Sequence, residues 1–273
     1  MLLTAEGTRR HTTVLGRTLE SHEAGDGPVL LMMHGGGPGA NAWDNSEHLL
    51  EGLAGTFRVI LLNLSGYGAS EQLEPLADEF DDQFNTRIIR AFLDERGIAS
   101  AHVFGASGSG APAVRLAIDH PERVDKLILK GPGGLPSVFT ADPPPGLQSL
   151  FDYIQQPTRE NMTAVMNMFV PHPAGDLTEQ IDRRHAAAMR TPRYQPAPYR
   201  ELSPMLRDLT QPTLVLWGHQ DNMVPFEGAL TALKQIPDVR LHIWGGGVGH
   251  FVEWERPQET VRLLTDFLTH TDR

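Results

Sequence analysis

Six short apolar runs, separated by segments with helical periodicity, constrain the fold of this chain more than any other feature. Short runs without polar alternation are typical of parallel strands buried on both faces of a sheet. Helical patterns fall near residues 79–96, 109–119, 227–235 and 257–269, and residues 12–23 have the composition of a hairpin. This alternation predicts an α/β fold with a mostly parallel central sheet flanked by helices. The predicted strands are Val29–Met33, Phe57–Leu62, His102–Phe104, Lys126–Leu129, Thr213–Trp217 and Arg240–Trp244.

The alternation stops between residues 132 and 203, a proline-rich stretch in which only helical patterns are found. The predicted helical pieces are Leu147–Ile154, Arg159–Phe169 and Thr178–Met189. We expect residues 132–203 to form a helical cap inserted into a core made of residues 1–131 and 204–273. Such an insertion is where a scaffold carries substrate-selecting surface. The alternative is a long surface excursion without function.

A turn of small residues, Gly105-Ala106-Ser107-Gly108-Ser109-Gly110, joins the third predicted strand to a helical pattern. At so tight a strand-to-helix junction, the side chain at its apex projects from the top of the sheet. Ser107 is therefore the candidate nucleophile, and Ser109 is its rival. Ser109 occupies the place where the pattern G-x-S-x-G has glycine. Taken alone, the turn could equally be a structural packing feature.

Three consecutive glycines, within His34-Gly35-Gly36-Gly37-Pro38-Gly39, follow the predicted strand Val29–Met33. Glycines allow backbone N–H groups to approach a ligand oxygen closely. We expect the N–H groups of Gly36 and Gly108 to form an oxyanion hole. A phosphate-binding loop is disfavoured, because neither G-x-G-x-x-G before a helix nor a G-K-[ST] ending is present.

An acid and a histidine follow the last two predicted strands. Asp221 ends the string Gly218-His219-Gln220-Asp221, and His250 lies between Gly249 and Phe251. The order Ser…Asp…His is that of one class of catalytic triad, and the carboxyl ends of parallel strands meet at one edge of a sheet. We predict that His250 takes the proton of Ser107 and that Asp221 orients the imidazolium. A loop-capping role is the alternative for Asp221.

Composition narrows the classes of function and compartment. The chain has 23 basic and 34 acidic residues and a net charge of −11, which disfavours nucleic-acid binding. It has no cysteine, which excludes disulfides and thiolate chemistry and suits a reducing cytoplasm. No signal-peptide pattern and no apolar run of membrane-spanning length is present, so we expect a cytoplasmic protein without a membrane partner. No histidine pair has metal-ligand spacing, and we expect no metal. Of the other histidines, His34, His219 and His242 are expected to be structural or to line a pocket.

Several strings along the chain resemble a known enzyme family. They are His34-Gly-Gly-Gly-Pro-Gly-Ala40, Gly66-Tyr67-Gly68-Ala69-Ser70, Leu127-Ile-Leu-Lys-Gly-Pro-Gly-Gly-Leu135, Pro157-Thr-Arg-Glu-Asn161 and Gly249-His250-Phe251 with Glu253. With these strings the chain resembles the α/β-hydrolases. More narrowly, it is similar to the meta-cleavage product hydrolases, which hydrolyse a carbon–carbon bond during aromatic ring degradation.

The resemblance implies a small-molecule dienolate substrate, ketonisation, attack at the ketone carbon and cleavage to a 2-hydroxydienoate and a second acid. It also implies that no cofactor is needed and that the chain forms a homodimer or a larger homo-oligomer. For the substrate site it implies contacts from Gly37 and Asn45. It further implies a carboxylate contact from an arginine of the cap, assigned to Arg184, with Arg183 and Arg190 leaving the register open.

Two positions depart from the family pattern. Ala106 stands before the nucleophile where asparagine is common, and Phe251 stands after the histidine where tryptophan is usual. Ala106 therefore lacks the donor with which asparagine helps to bind the dienoate. A hydrolase of esters, lactones or amides with the same triad remains an alternative to the carbon–carbon hydrolase. A non-catalytic binding protein is a further alternative, disfavoured by the intact Ser107, Asp221 and His250.

Overall fold

The computed structural model describes residues 3–135, 143–173, 175–190 and 201–270. In this part of the chain, eight strands form one sheet: β1 (Arg9–Val14), β2 (Arg17–Ala24), β3 (Val29–Met33), β4 (Arg58–Leu62), β5 (Ala101–Ala106), β6 (Val124–Lys130), β7 (Thr213–Gly218) and β8 (Val239–Trp244). Their spatial order is β1-β2-β4-β3-β5-β6-β7-β8. The β1–β2 hairpin pairs antiparallel with β4, and the strands from β4 to β8 are mutually parallel. The predicted α/β architecture with a mostly parallel sheet is confirmed.

Helices cover both faces of the sheet, because strand side chains alternate between the faces and both sets are apolar. The helices are α1 (Ala5–Thr8), α2 (Ala42–Ala54), α3 (Asp81–Glu95), α4 (Gly110–Asp119), α5 (Pro145–Gln155), α6 (Arg159–Phe169), α7 (Thr178–Arg190), α8 (Gly228–Gln235), α9 (Val252–Glu255) and α10 (Pro257–Thr269). One apolar cluster joins alternate strand residues to α3, α4 and α8, and a second joins the intervening ones to α2, α9 and α10.

Observed elements agree with the predicted ones to within a few residues at most ends, and α2 is the main element that the pattern did not predict. Its first turns carry polar residues, including Asp44 and Asn45, which mask the helical periodicity of its buried leucines. The local signal for this helix is Asn41, whose side-chain oxygen accepts the N–H of Asp44 at 2.8 Å. Asparagine is a favoured N-cap because it satisfies such an otherwise unpaired donor.

Between β6 and β7 the described chain contains α5, α6 and α7, at the three places where helical patterns were predicted. They share an apolar cluster that includes Tyr153, Met166 and Ile181 and extends to Phe251 beside the candidate histidine. Residues 136–142, 174 and 191–200 of the predicted cap lie outside the described residues. Over the described ranges, no helix has the length and apolar character needed to cross a membrane.

Candidate active site

Ser107 lies at the carboxyl end of β5, in a backbone conformation that few side chains adopt. Its φ is +52°, in the left-handed region, which carries a steric cost for any residue with a Cβ. Gly105 makes the turn possible, since a Cβ there would lie 2.7 Å from the carbonyl oxygen of Ser109. A costly conformation held in place by the surrounding turn is typical of functional sites. Ser107 is also partly exposed, as an attacking group must be.

The rival serine, Ser109, has a structural environment. Its buried hydroxyl accepts the N–H of Ala106 at 2.8 Å. The same oxygen lies 2.9 Å from the carbonyl oxygen of Ala106 and 3.0 Å from that of Met33. These contacts tie the turn to β3 and leave the Ser109 hydroxyl no access to a substrate. The geometry therefore favours Ser107 as the nucleophile.

Asp221 and His250 are brought together across the ends of β7 and β8. The two side chains are each 1% exposed, and Nδ1 of His250 lies 2.6 Å from Oδ2 of Asp221. The other carboxylate oxygen of Asp221 accepts the N–H groups of Met223 and Val224 at 2.8 and 2.9 Å. An Nδ1–H donated to the carboxylate leaves Nε2 of His250 as the proton acceptor, which is the tautomer that a triad needs.

Ser107 and His250 lie on the same edge of the sheet, and no hydrogen bond joins them within the described residues. Hydrogen bonds between catalytic groups are often long without substrate and tighten when it binds. The end of β6 separates the two residues. A Cβ at Gly131 would lie 3.2 Å from both Oδ2 of Asp221 and Cε1 of His250, so only glycine leaves room for the acid–histidine pair.

The glycine-rich loop after β3 borders the elbow, because a Cβ at Gly35 would lie 3.0 Å from Cβ of Ser107. In the described chain the N–H of Gly36 donates to no protein group, and both Gly36 and Gly108 are partly exposed. The loop therefore presents a free N–H beside the nucleophile. The assignment of Gly36 and Gly108 to an oxyanion hole stays a prediction that this placement favours.

His34 holds that loop in shape. Its Nε2 accepts the N–H of Leu64 at 3.1 Å, so Nδ1 carries the proton and donates to the carbonyl oxygen of Gly35 at 2.7 Å. Burial, with a smaller contribution from the nearby positive charge of Arg184, lowers the pKa of His34 to about 4. His34 is therefore a neutral, structural residue at neutral pH.

Arg184 projects from α7 into the interior and reaches the same site. Only 4% of the residue is exposed, and its guanidinium carbon lies 5.0 Å from the ring centre of Phe169 and 5.9 Å from that of Phe251. A Cβ at Gly37 would lie 3.5 Å from Nη2 of Arg184. A cation held over aromatic faces at the edge of a glycine-rich loop is suited to bind an anion.

The neighbouring arginines have other surroundings. Arg183 is directed towards α2, where its guanidinium lies 2.6 Å from Glu47 and 3.4 Å from Asp44. Arg190, at the end of α7, is exposed. The register that the sequence left open is thus decided by packing, and it places Arg184 at the site.

Three other predicted substrate contacts are buried: Asn45 on α2, Ala106 before Ser107 and Phe251 after His250. Asn45 is 2% exposed, and its Oδ1 has no hydrogen-bond partner among the described residues, which leaves it available to a ligand. Ala106 is buried and offers only a methyl group. The ring of Phe251 stacks on that of Phe169 with centroids 4.5 Å apart and an interplanar angle of 4°. The substrate contacts assigned to these residues stay predictions.

Three ionisable residues near His250 were not assigned a role from the sequence. Lys130 and Glu253 form a buried ion pair of 3.3 Å. Burial raises the pKa of Glu255 to about 7, although its carboxylate accepts the N–H of Gly249 at 2.8 Å. The available signal was a lysine that ends an apolar strand and two glutamates three and five residues after a candidate histidine. Within the described ranges, no group of three His, Asp or Glu side chains is arranged to hold a metal ion.

Comparison with known proteins decides the family. A family model described as the α/β hydrolase fold matches residues 28–200, which include the elbow and the glycine-rich loop. This chain belongs to the α/β-hydrolase superfamily. The sequence of this α/β-hydrolase is 35% identical to that of a 2-hydroxy-6-oxo-6-phenylhexa-2,4-dienoate hydrolase of Comamonas testosteroni, over 90% of both chains. It is 33% identical to a 2-hydroxy-6-oxononadienedioate/2-hydroxy-6-oxononatrienedioate hydrolase of the same species, over 91% of this chain and 90% of the relative.

A solved structure agrees with these relatives. A meta-cleavage product hydrolase from Pseudomonas fluorescens superimposes on this α/β-hydrolase with a TM-score of 0.83 and 25% sequence identity. The superposition covers 96% of this chain and 98% of the other. The likeness therefore includes the helices between β6 and β7 as well as the sheet.

Proposed function

We propose that this α/β-hydrolase cleaves a carbon–carbon bond in a 2-hydroxy-6-oxo-dienoate, the type of compound named for its curated relatives. The observation that carries the proposal is the buried guanidinium of Arg184 between the glycine-rich loop and the Phe169–Phe251 stack. An ester or amide substrate does not require a buried cation. A dienoate carries a carboxylate that an arginine can bind through two parallel hydrogen bonds.

The proposed reaction begins with ketonisation, in which the enol proton moves to the carbon next to the distal ketone. Oγ of Ser107 then adds to the ketone carbon while Nε2 of His250 takes its proton and Asp221 stabilises the imidazolium. The N–H groups of Gly36 and Gly108 would hold the developing oxyanion.

Collapse of this intermediate breaks the bond between the former ketone carbon and the adjacent methylene carbon. The electron pair is delocalised into the 2-oxo group, which takes the proton from His250 and leaves as a 2-hydroxydienoate. Water then hydrolyses the acyl-serine and releases the second acid. Atoms balance with one water consumed, and no cofactor is needed.

The charges of the site favour an uncharged substituent on the distal ketone. Among the described residues, the buried arginine and lysine side chains are Arg184 and Lys130, and Lys130 is already paired with Glu253. Within the described ranges, Lys130 is therefore not available to a second carboxylate on the substrate. The cluster around Phe251 is apolar and includes Met223 and Phe169, which suits an aryl or alkyl group.

The test is to follow the loss of visible absorbance of two dienolates, one with a 6-phenyl group and one with a distal carboxylate. We expect turnover of the phenyl compound with a kcat/KM at least tenfold above that of the dicarboxylate, and no turnover by Ser107→Ala. Rapid hydrolysis of p-nitrophenyl esters with no loss of dienolate absorbance would refute carbon–carbon cleavage. That outcome would favour the esterase alternative, which the missing donor at Ala106 supports.

The proposal includes a substrate-selecting role for residues 132–203 as a cap. Leu150 of α5 supports this role, because its Cδ1 lies 3.8 Å from the position of a Cβ at Gly37. We expect Leu150→Ala to shift kcat/KM towards bulkier ketone substituents. The rate at which an organophosphonate labels Ser107 should stay within about twofold of wild type, since that reaction needs the triad and not the cap. An unchanged substrate preference would contradict this role.

The proposed state in the cell is a cytoplasmic homodimer acting on a small molecule, without nucleic-acid or membrane partners. The absence of cysteine supports the cytoplasmic location, the acidic composition disfavours nucleic-acid binding, and the dimer rests on the resemblance to the family. Light scattering of the purified protein should give twice the chain mass of 30.1 kDa. A mass of one chain would refute the dimer.

A further inference from the structure

A buried ion pair lies directly behind the catalytic histidine. Lys130 ends β6, and Glu253 lies in α9, three residues after His250. Their side chains are each 1% exposed, with Nζ and Oε1 3.3 Å apart. Strand alternation places Lys130 on the same face of the sheet as Ile128, beneath the loop that carries His250.

Lys130 contacts the histidine segment at two points. Its Nζ donates a hydrogen bond of 3.0 Å to the carbonyl oxygen of His250. The same Nζ lies 5.2 Å from the ring centre of Phe251. Lys130 at the end of β6 therefore bonds the backbone of His250. The next residue, Gly131, lies against the imidazole ring of His250.

Glu253 supplies the charge that allows Lys130 to be buried there. In the described chain neither carboxylate oxygen of Glu253 receives a hydrogen bond, its oppositely charged neighbour is Lys130, and Glu255 lies close enough to interact with it electrostatically. An ion pair with so few supporting bonds gains little stability from its burial, because both charges must lose their hydration. Apolar residues of similar volume would stabilise the fold equally well. The presence of a charged pair here therefore indicates a role other than stability.

We propose that Lys130 and Glu253 are positioning residues that fix the carbonyl of His250, and with it the imidazole, for proton transfer from Ser107. Lys130 lies against Phe251, a predicted substrate contact, and the pair acts on proton transfer through the backbone of His250. The inference rests on the proposed catalytic role of His250, and it is independent of which bond the enzyme cleaves.

The decisive variant removes both charges at once, as Lys130→Met with Glu253→Gln. Without a buried unpaired charge this double variant should fold, with a Tm lowered only by the loss of the hydrogen bond to the carbonyl of His250. The measured quantity is the second-order rate constant for labelling of Ser107 by an organophosphonate. This labelling reaction needs His250 and does not use a dienolate. We expect that rate and kcat to fall by about tenfold to a hundredfold, as for a catalytic group displaced by a fraction of an ångström to one ångström. KM should stay within about twofold.

Lys126→Met is the matched control. Lys126 lies on the same strand, but it donates to the carbonyl oxygens of Phe267 and His270 and makes no contact with His250. Its labelling rate should equal that of wild type. A purely structural role for the pair predicts that the double variant, once folded, also labels at the wild-type rate, and this result would overturn the proposal.

Glu253→Gln alone provides a second test if the double variant does not fold. It retains the bond from Lys130 to His250 and removes the counter-charge, so a loss of about threefold to tenfold in labelling rate is expected. An unchanged rate in a folded Glu253→Gln protein would also overturn the proposal. Failure of dienolate turnover with intact labelling would instead count against the proposed substrate, so the two failures can be told apart.

Discussion

The carboxyl edge of the sheet and the helices α5 to α7 contribute to one site by different physical means. At the edge, backbone geometry decides where each group lies: the positive φ of Ser107 turns its side chain out, and two backbone N–H groups hold Asp221. In the helices, side-chain packing decides. Arg183 and Arg184 are adjacent in sequence, yet one is paired with Glu47 and the other is buried against Phe169. The candidate triad is thus positioned by strand ends, and the predicted carboxylate contact by helix register.

The largest effect should come from the edge of the sheet. Ser107→Ala removes the nucleophile, and we expect kcat to fall by about 10⁴-fold or more. Its Tm should not fall, because the hydroxyl makes no bond on which the fold depends. Steady-state kinetics and thermal unfolding measure the two effects.

Ser109→Ala is the matched control for that variant. It removes a buried hydroxyl that accepts the N–H of Ala106, so the free energy of unfolding should fall by about 1–3 kcal/mol. The folded protein should keep kcat within about tenfold of wild type. A reversal, with activity lost at Ser109 and kept at Ser107, would refute the assignment of the nucleophile.

The second effect concerns the helices and is smaller. Arg184→Gln removes the buried guanidinium, and losing a charge-assisted hydrogen bond of about 2–3 kcal/mol lowers kcat/KM for a dienolate by roughly a hundredfold. The loss should appear mainly in KM, because the carboxylate is bound both before and during bond cleavage. Labelling of Ser107 by an organophosphonate should be nearly unchanged.

Arg183→Gln serves as the control on the same helix. Its ion pairs are partly exposed, so kcat/KM should stay within about twofold of wild type. If Arg183→Gln raised KM a hundredfold and Arg184→Gln did not, the helix register described for α7 would be wrong.

The smallest effect concerns the pH dependence of stability at the edge. Burial raises the pKa of Glu255 from 4.5 to about 7 in the folded protein. Between these two pH values the folded chain binds more protons than the unfolded chain, so the free energy of unfolding falls as pH rises. Glu255→Gln cannot ionise and still offers an oxygen to the N–H of Gly249.

The expected measurement is denaturant unfolding of wild type and Glu255→Gln at pH 4.5 and pH 7.5. Relative to wild type, the variant should gain about 2 kcal/mol between the two pH values. The exposed Glu122→Gln should show no such gain. Equal pH dependence in all three proteins would contradict a buried carboxyl group that is protonated near neutrality.

Much of the edge could be predicted because its signals are local. The apolar runs predicted the strands, and the turn at Ser107, the acid at Asp221 and the histidine at His250 each follow one of them directly. Helix α2 was not predicted because polar residues fill its first turns. Its leucines stabilise the helix by packing against the sheet, which the local sequence pattern does not report. Hydrophobic periodicity reports a helix only when the pattern is clear over its whole length.

The sequence by itself determined the alternation of strands with most of the helices, the residue types at each strand end, and hence the α/β-hydrolase fold and its candidate triad. Tertiary structure decided which arginine of α7 reaches the candidate site, that the Ser109 hydroxyl is buried in backbone contacts, and that Lys130 bonds the carbonyl of His250 from 120 residues away. The physical reason is the distance along the sequence between the residues that interact. Turns and strand ends are governed by neighbouring residues, whereas the contacts of a long side chain depend on how distant elements pack together.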